Sequence, residues 1–139
     1  IPDVFVEPFS RLTTNSVSAS TSFIQIAGIA ALEGTQQPVV DMVAEFKKRR
    51  AVVVEGLNSI DGISCRTPDG AFYAFPNIRG TGMTSQEFAD ACLYEADVAL
   101  LPGTSFGEFG EGYARLSFAN SEENLRKGIA QIKDMLAAR

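Results

Sequence analysis

Histidine and tryptophan are absent from the 139 residues, and cysteine occurs only twice. Without histidine the commonest general base is missing, so neither a Ser-His nor a Cys-His nucleophilic pair can be built from this chain. Cys65 and Cys92 lie in unrelated contexts with no C-x-x-C spacing, and no histidine is present to complete a zinc set. They read as free buried thiols of a reducing compartment. No apolar run reaches the length of a membrane-spanning helix and no secretory leader is recognisable, so a soluble, cytoplasmic protein without a membrane partner is expected. Positive charge is also in short supply: 12 Lys+Arg against 17 Asp+Glu leave a formal net charge of -5. The one basic run, Lys47-Lys48-Arg49-Arg50, follows Asp41 and Glu45, and Glu45 to Arg49 is an i,i+4 pair in the favourable order. The run therefore reads as a solvated helix face, and nucleic acid is not an expected partner. An initiator Met is missing too, and Ile1-Pro2-Asp3-Val4-Phe5 opens partway through an apolar pattern, as a fragment would.

What is present suffices for a globular core: 45% of the residues are hydrophobic and 21% charged. A chain of this size buries enough of its unfolded surface to fold without a disulfide or metal. Val4, Phe5, Phe9 and Leu12 predict a short helix from about Asp3 to Thr14, broken or bent near Pro8. The Ser/Thr/Asn/Ala stretch from Asn15 to Ser22 supplies capping and turn oxygens. Phe23 to Leu32 is apolar nearly all round and stops at Gly34, which predicts a buried helix. Pro38 suits the first turn of a long helix reaching about Asn58, with Val39, Met42, Val43, Phe46, Val53 and Leu57 at helical spacings.

Asp61-Gly62 ends that helix, and Pro68-Asp69-Gly70 is a strong turn signal between two short apolar stretches, so Ile63 to Ile78 reads as a hairpin. Thr84-Ser85-Gln86-Glu87 has capping-box spacing, and Phe88, Ala91 and Cys92 form the apolar side of the helix it opens. Val98 to Leu101 is a short apolar strand and Pro102 to Gly112 a glycine-rich loop. Tyr113 to Ala119 is a further strand, and Ser121 starts a last helix with Leu125, Ile129, Ile132 and Leu136 inward. The order, helices and then β-β-α-β-β-α, predicts an α+β fold, an α/β sandwich in which helices, with long ones at the amino-terminal end, cover a small, mostly antiparallel sheet.

The segment from Pro102 to Ala119 carries the most information. Its glycines do not form a phosphate cradle, because no Gly-Lys-Ser/Thr follows and Glu108 and Glu111 would repel an anion. Strand alternation places Tyr113, Arg115, Ser117 and Ala119 on one face and Ala114, Leu116 and Phe118 on the other. From spacing alone, the lone Arg115 is either a solvated or structurally paired charge or a carboxylate clamp.

Pro102-Gly103, Phe106-Gly107, Gly112 and Arg115-Leu116-Ser117-Phe118-Ala119, in this order, resemble the closing signature of class I/II aminotransferases of the aspartate aminotransferase type. Asn15-Ser16-Val17-Ser18-Ala19-Ser20-Thr21 with Gln25 and Ala30-Ala31-Leu32 resembles the family's link between its two domains. Gly70-Ala71-Phe72-Tyr73-Ala74-Phe75-Pro76 resembles its inner strand, and Ser121 to Leu125 the start of its final helix. The resemblance implies a severed small carboxy-terminal domain over 36–139, with 1–35 linking to a missing large domain. It also implies a parent enzyme, a homodimer, that transfers an amino group between an amino acid and a 2-oxo acid using pyridoxal phosphate. In that family the arginine at the Arg115 position holds the substrate α-carboxylate, and the aromatic at the Phe72 position lies near the substrate; for Phe72 an ordinary core role is the alternative.

Lys47, Lys48, Lys127 and Lys133 fall on helices with polar neighbours, so none is expected to bind the cofactor, and the chain alone is expected to be inactive. The rival reading is a free-standing amino-acid-binding regulatory module. The apolar amino-terminal segment up to Leu32 argues against it, and self-association through 1–35 is expected instead.

Overall fold

A computed structural model describes residues 1–139. The chain divides into two compact units, Ile1–Val40 and Asp41–Arg139.

In the first unit a 3₁₀ turn, Asp3–Phe5, leads into helix α1, Val6–Ser16, and α2 follows over Ser22–Glu33. The expected break at Pro8 does not occur. Pro8 is the third residue of α1, where its missing N–H would have had no intrahelical partner, so it is tolerated. The expectation that α2 is buried is also corrected, since none of its residues is buried. A helix apolar on all sides needs neighbours on all sides, and a unit of forty residues offers too few. Helix α3, Gln37–Asn58, begins with Pro38 in its first turn as expected.

Within the second unit α3 contributes Val53, Val54 and Leu57 to the core, whereas Met42 and Val43 remain exposed. The Glu45 carboxylate pairs with Arg49 at 3.2 Å and with Lys48 at 3.5 Å, the ion pair expected of the basic run, but only Lys47 and Lys48 form a solvated face: Arg49 and Arg50 are half-buried, and Arg50 donates to the Pro68 carbonyl at 2.9 Å. The predicted hairpin is reduced to an isolated antiparallel bridge between Ser64 and Asn77, and its second arm carries only the two-residue strand β1, Tyr73–Ala74. The turn between them places Ala71 at φ 59°, a left-handed value unusual for a residue with a Cβ.

Helix α4, Ser85–Glu95, is capped by Thr84: its hydroxyl accepts from the Glu87 N–H while the Glu87 carboxylate accepts from the Thr84 N–H, the reciprocal box. Strand β2 is confined to Leu101–Pro102, shorter than the predicted Val98–Leu101, and β3 spans Ala114–Ser117. Helix α5, Glu122–Ala137, is capped by the Ser121 hydroxyl.

The sheet order is β1-β3-β2, antiparallel throughout, with Tyr73 opposite Ser117 and Leu101 opposite Arg115. One face is core: Ala74, Ala114, Leu116 and Phe118 join Leu57, Phe88, Cys92, Leu125, Ile129 and Ile132 in a single cluster. Gly56 lets α3 and α5 close together there, because a Cβ at that position would stand 2.8 Å from the Ile129 side chain. This is the expected α+β arrangement, and Arg115 lies half-buried on the other face of β3.

Candidate active-site face

Arg115 is placed by three local features. The alternation of β3 turns it away from the core, where Ala114 and Leu116 are buried on either side of it. The entry to β3 is held by Ser85, whose buried hydroxyl donates to the Gly110 carbonyl (3.2 Å) and accepts from the N–H groups of Gly112 (2.8 Å) and Tyr113 (3.2 Å). The Ser85 N–H itself donates to the Glu111 carboxylate at 3.0 Å. The glycine-rich loop folds as two 3₁₀ turns, Gly103–Phe106 and Glu108–Gly110. Their backbones touch: a Cβ on Gly103 would lie 2.1 Å from the Gly110 oxygen, and one on Gly110 2.0 Å from the Gly103 oxygen. Only glycine fits at either place.

This packing delivers Phe106 to the Arg115 head group. The guanidinium carbon lies over the Phe106 ring at 4.1 Å from its centroid and over the Tyr73 ring at 4.4 Å. No carboxylate takes part: Arg115 is absent from every ion pair of the chain. The reading of Arg115 as a charge tied to an internal carboxylate is therefore excluded. Further rings extend the face. Phe75 stands edge-on to Phe106 at 6.2 Å and stacks on Tyr113 at 5.4 Å, and the Arg79 guanidinium lies over Tyr113 at 4.8 Å while donating to the Glu111 carbonyl at 2.9 Å. Arg79 is thus occupied; Arg115 keeps its polar donors.

Phe72 does not touch Arg115. It packs on Tyr73 at 4.4 Å and on Phe46 at 6.2 Å, with 40% of its surface exposed, and lines a cleft of about 380 Å³ with Phe46, Ala71 and Phe118. Tyr73 stands between the two, in contact with both. Tyr73 and Phe106 are the partners that the sequence reading missed. The period-2 pattern could have found Tyr73, which shares a face with Arg115, but nothing local marks Phe106.

The remaining reactive groups lie elsewhere. Both cysteines are free and buried, as expected; burial raises the Cys65 thiol and pushes Cys92 up to about 12. Lys47, Lys48, Lys127 and Lys133 are all exposed on helices. No cluster of His, Cys, Asp or Glu could hold a metal ion, and no helix is long and apolar enough to cross a membrane.

Comparison with known proteins bears on the family and the fold. Residues 6–132 match the family described as aminotransferase class I and II. The aspartate aminotransferase of Pyrococcus horikoshii is 42% identical over 97% of the chain, and the aromatic-amino-acid aminotransferase 2 of Thermococcus litoralis 37% over the same share; the chain spans 35% of each. Among solved structures, an aromatic aminotransferase from Pyrococcus horikoshii superimposes with a TM-score of 0.91 at 37% identity, over 96% of this chain and 36% of that one. The aspartate aminotransferase of Rhizobium meliloti gives 0.90 at 31% identity over the same shares. The match over nearly the whole chain, in sequence and in fold, places this chain in the class I and II aminotransferases.

Proposed function

We propose that this chain is the small, substrate-capturing part of a pyridoxal-phosphate-dependent enzyme that moves an amino group between an amino acid and a 2-oxo acid. The observation that carries the proposal is the Arg115 guanidinium, which stands on the sheet face away from the core, among aromatic rings and without a carboxylate partner. A planar fork of N–H donors matches a carboxylate bidentately, and apolar rings around it exclude competing water. In this reading Arg115 holds the α-carboxylate, Tyr73 and Phe106 frame it, and Phe72 walls the site from one ring further out.

The chain's own lysines do not fit the cofactor's attachment point. The lysine and the groups that grip the cofactor phosphate are proposed to lie outside 1–139, in a large domain that residues 1–35 join to a small domain formed by 36–139. When bound, pyridoxal phosphate supplies the electron sink, and the part played by these residues is binding and orientation. The exposed apolar surface of α1 and α2 supports a partner there, the large domain or a second subunit of a cytoplasmic homodimer.

The test is Arg115→Ala in the full-length enzyme that carries this chain. Breaking one side of a desolvated charge pair costs roughly 2–5 kcal/mol, at least about tenfold in kcat/KM. Because every amino acid and 2-oxo acid has an α-carboxylate, the loss is expected for all substrates alike. A loss confined to dicarboxylic substrates would assign Arg115 to side-chain recognition and overturn the role.

A further inference from the structure

We infer that Phe106 and Tyr73 are positioning residues that make Arg115 select planar anions over tetrahedral ones. The inference rests on the reading of Arg115 as an anion clamp and adds a property that charge alone would not confer. Three elements converge on the guanidinium: β3 carries it, β1 supplies Tyr73, and the Gly103–Phe106 turn supplies Phe106. The ring centroids are 4.4 and 4.1 Å from the guanidinium carbon, and Tyr73 and Phe106 do not pair with each other as rings, so the cation meets a separate ring on each of two sides. Each ring is itself braced, Tyr73 by Phe72 at 4.4 Å and Phe106 by Phe75 at 6.2 Å. The turn beneath Phe106 is fixed by the Gly103 N–H to Tyr113 carbonyl bond at 2.8 Å.

A guanidinium carries its five N–H donors in one plane. With a ring on each of two sides, it offers an incoming anion only its open rim and cannot tilt to follow the ligand. Both oxygens of a carboxylate lie in one plane with its carbon and meet that rim as a parallel pair. A sulfonate carries the same single charge, but its third oxygen projects out of the plane toward the flanking rings, where it finds no donor and loses water. Discrimination is therefore set by the rings, through Arg115, and not by the charge.

The experiment uses the full-length enzyme, with propanoate and ethanesulfonate as competitive inhibitors of equal charge and similar size. The ratio of the two inhibition constants is measured for the wild type and for Phe106→Ala, Phe106→Leu and Phe106→Tyr. The preference for propanoate is expected to fall on the order of fivefold in the Ala and Leu variants, the scale of one cation–π contact, and to be kept by Tyr, which restores the ring. A general loosening of the fold would weaken both inhibitors together and leave the ratio alone. Unchanged ratios in both the Ala and Leu variants, while Arg115→Ala abolishes binding of both anions, would overturn the inference and leave the clamp standing. Unchanged propanoate binding in Arg115→Ala would instead remove the reading on which it rests.

Discussion

Ser85→Ala removes the hydroxyl that anchors the entry to β3, and the structure allows its cost to be worked out. Ser85 is fully buried, and its oxygen serves the Gly110 carbonyl and the N–H groups of Gly112 and Tyr113. Two of these keep a partner in the variant, because the Tyr113 N–H also donates to the Gly110 carbonyl at 3.1 Å. The Gly112 N–H is left with none, and Gly112 is itself buried. An orphaned buried amide costs about 1–3 kcal/mol. Alanine in the first turn of α4 returns at most about 0.7 kcal/mol in helix propensity. The net expectation is a loss of about 1–2 kcal/mol. With a urea slope of about 2 kcal/mol per molar, the middle of the range for small domains, the unfolding midpoint of the 139-residue chain should fall by about 0.5–1 M, followed by far-UV circular dichroism. A change below about 0.3 M would mean that the Gly112 N–H is satisfied some other way and that Ser85 does not anchor the loop. Ser85→Thr should not rescue, since a side chain with no exposed surface has no room for a further methyl group.

Three further outcomes follow from the same geometry. Gly103→Ala drives a Cβ against the Gly110 backbone oxygen, which cannot swing aside as a side chain would, so unfolding in urea should show a loss of about 3 kcal/mol. Thr84→Ala should raise the Glu87 carboxyl, which hydrogen bonds from Thr84 hold below its ordinary value. A depressed carboxyl stabilises the fold above its unfolded pKa and ceases to as pH falls through the folded value, so the stability gap between wild type and variant should narrow under acid to what the lost cap on the Glu87 N–H leaves, with NMR titration of Glu87 as the direct check. For Cys92, buried and pushed up to about 12, a thiol reagent at pH 8 should react only slowly until denaturant is added. Because this pKa is raised, its contribution is fully present below the unfolded thiol's pKa, so stability should decline as pH climbs above about 8.5.

What could be read from the sequence was what neighbouring residues decide among themselves. The Thr84 capping box, Pro38 in the first turn of α3, Ser121 before α5 and the two faces of β3 each depend on residues within a few positions of one another, and the structure has them all. The strands at Ile63 and Val98 were overestimated because a short apolar stretch reveals burial but not whether a ladder partner runs beside it. Ile63 and Cys65 are indeed buried, yet only Ser64 pairs. For α2, hydrophobicity on all sides predicts burial only if the covering elements belong to the same chain. Arg115 was legible as the one charge on an otherwise uncharged strand. Its setting between Tyr73 and Phe106 was not, because those rings arrive from separate elements. That meeting depends on the close approach of Gly103 to Gly110 and on the Ser85 anchor.

The central claim, that Arg115 receives the α-carboxylate, is tested most directly by a crystal structure of the full-length enzyme with a bound 2-oxo acid. The account predicts both carboxylate oxygens in the guanidinium plane of Arg115, at about 2.7–2.9 Å from its nitrogens, with Phe106 and Tyr73 still against the cation. A 2-oxo acid bound in the active site with its α-carboxylate on another group, and Arg115 left to solvent, would contradict it.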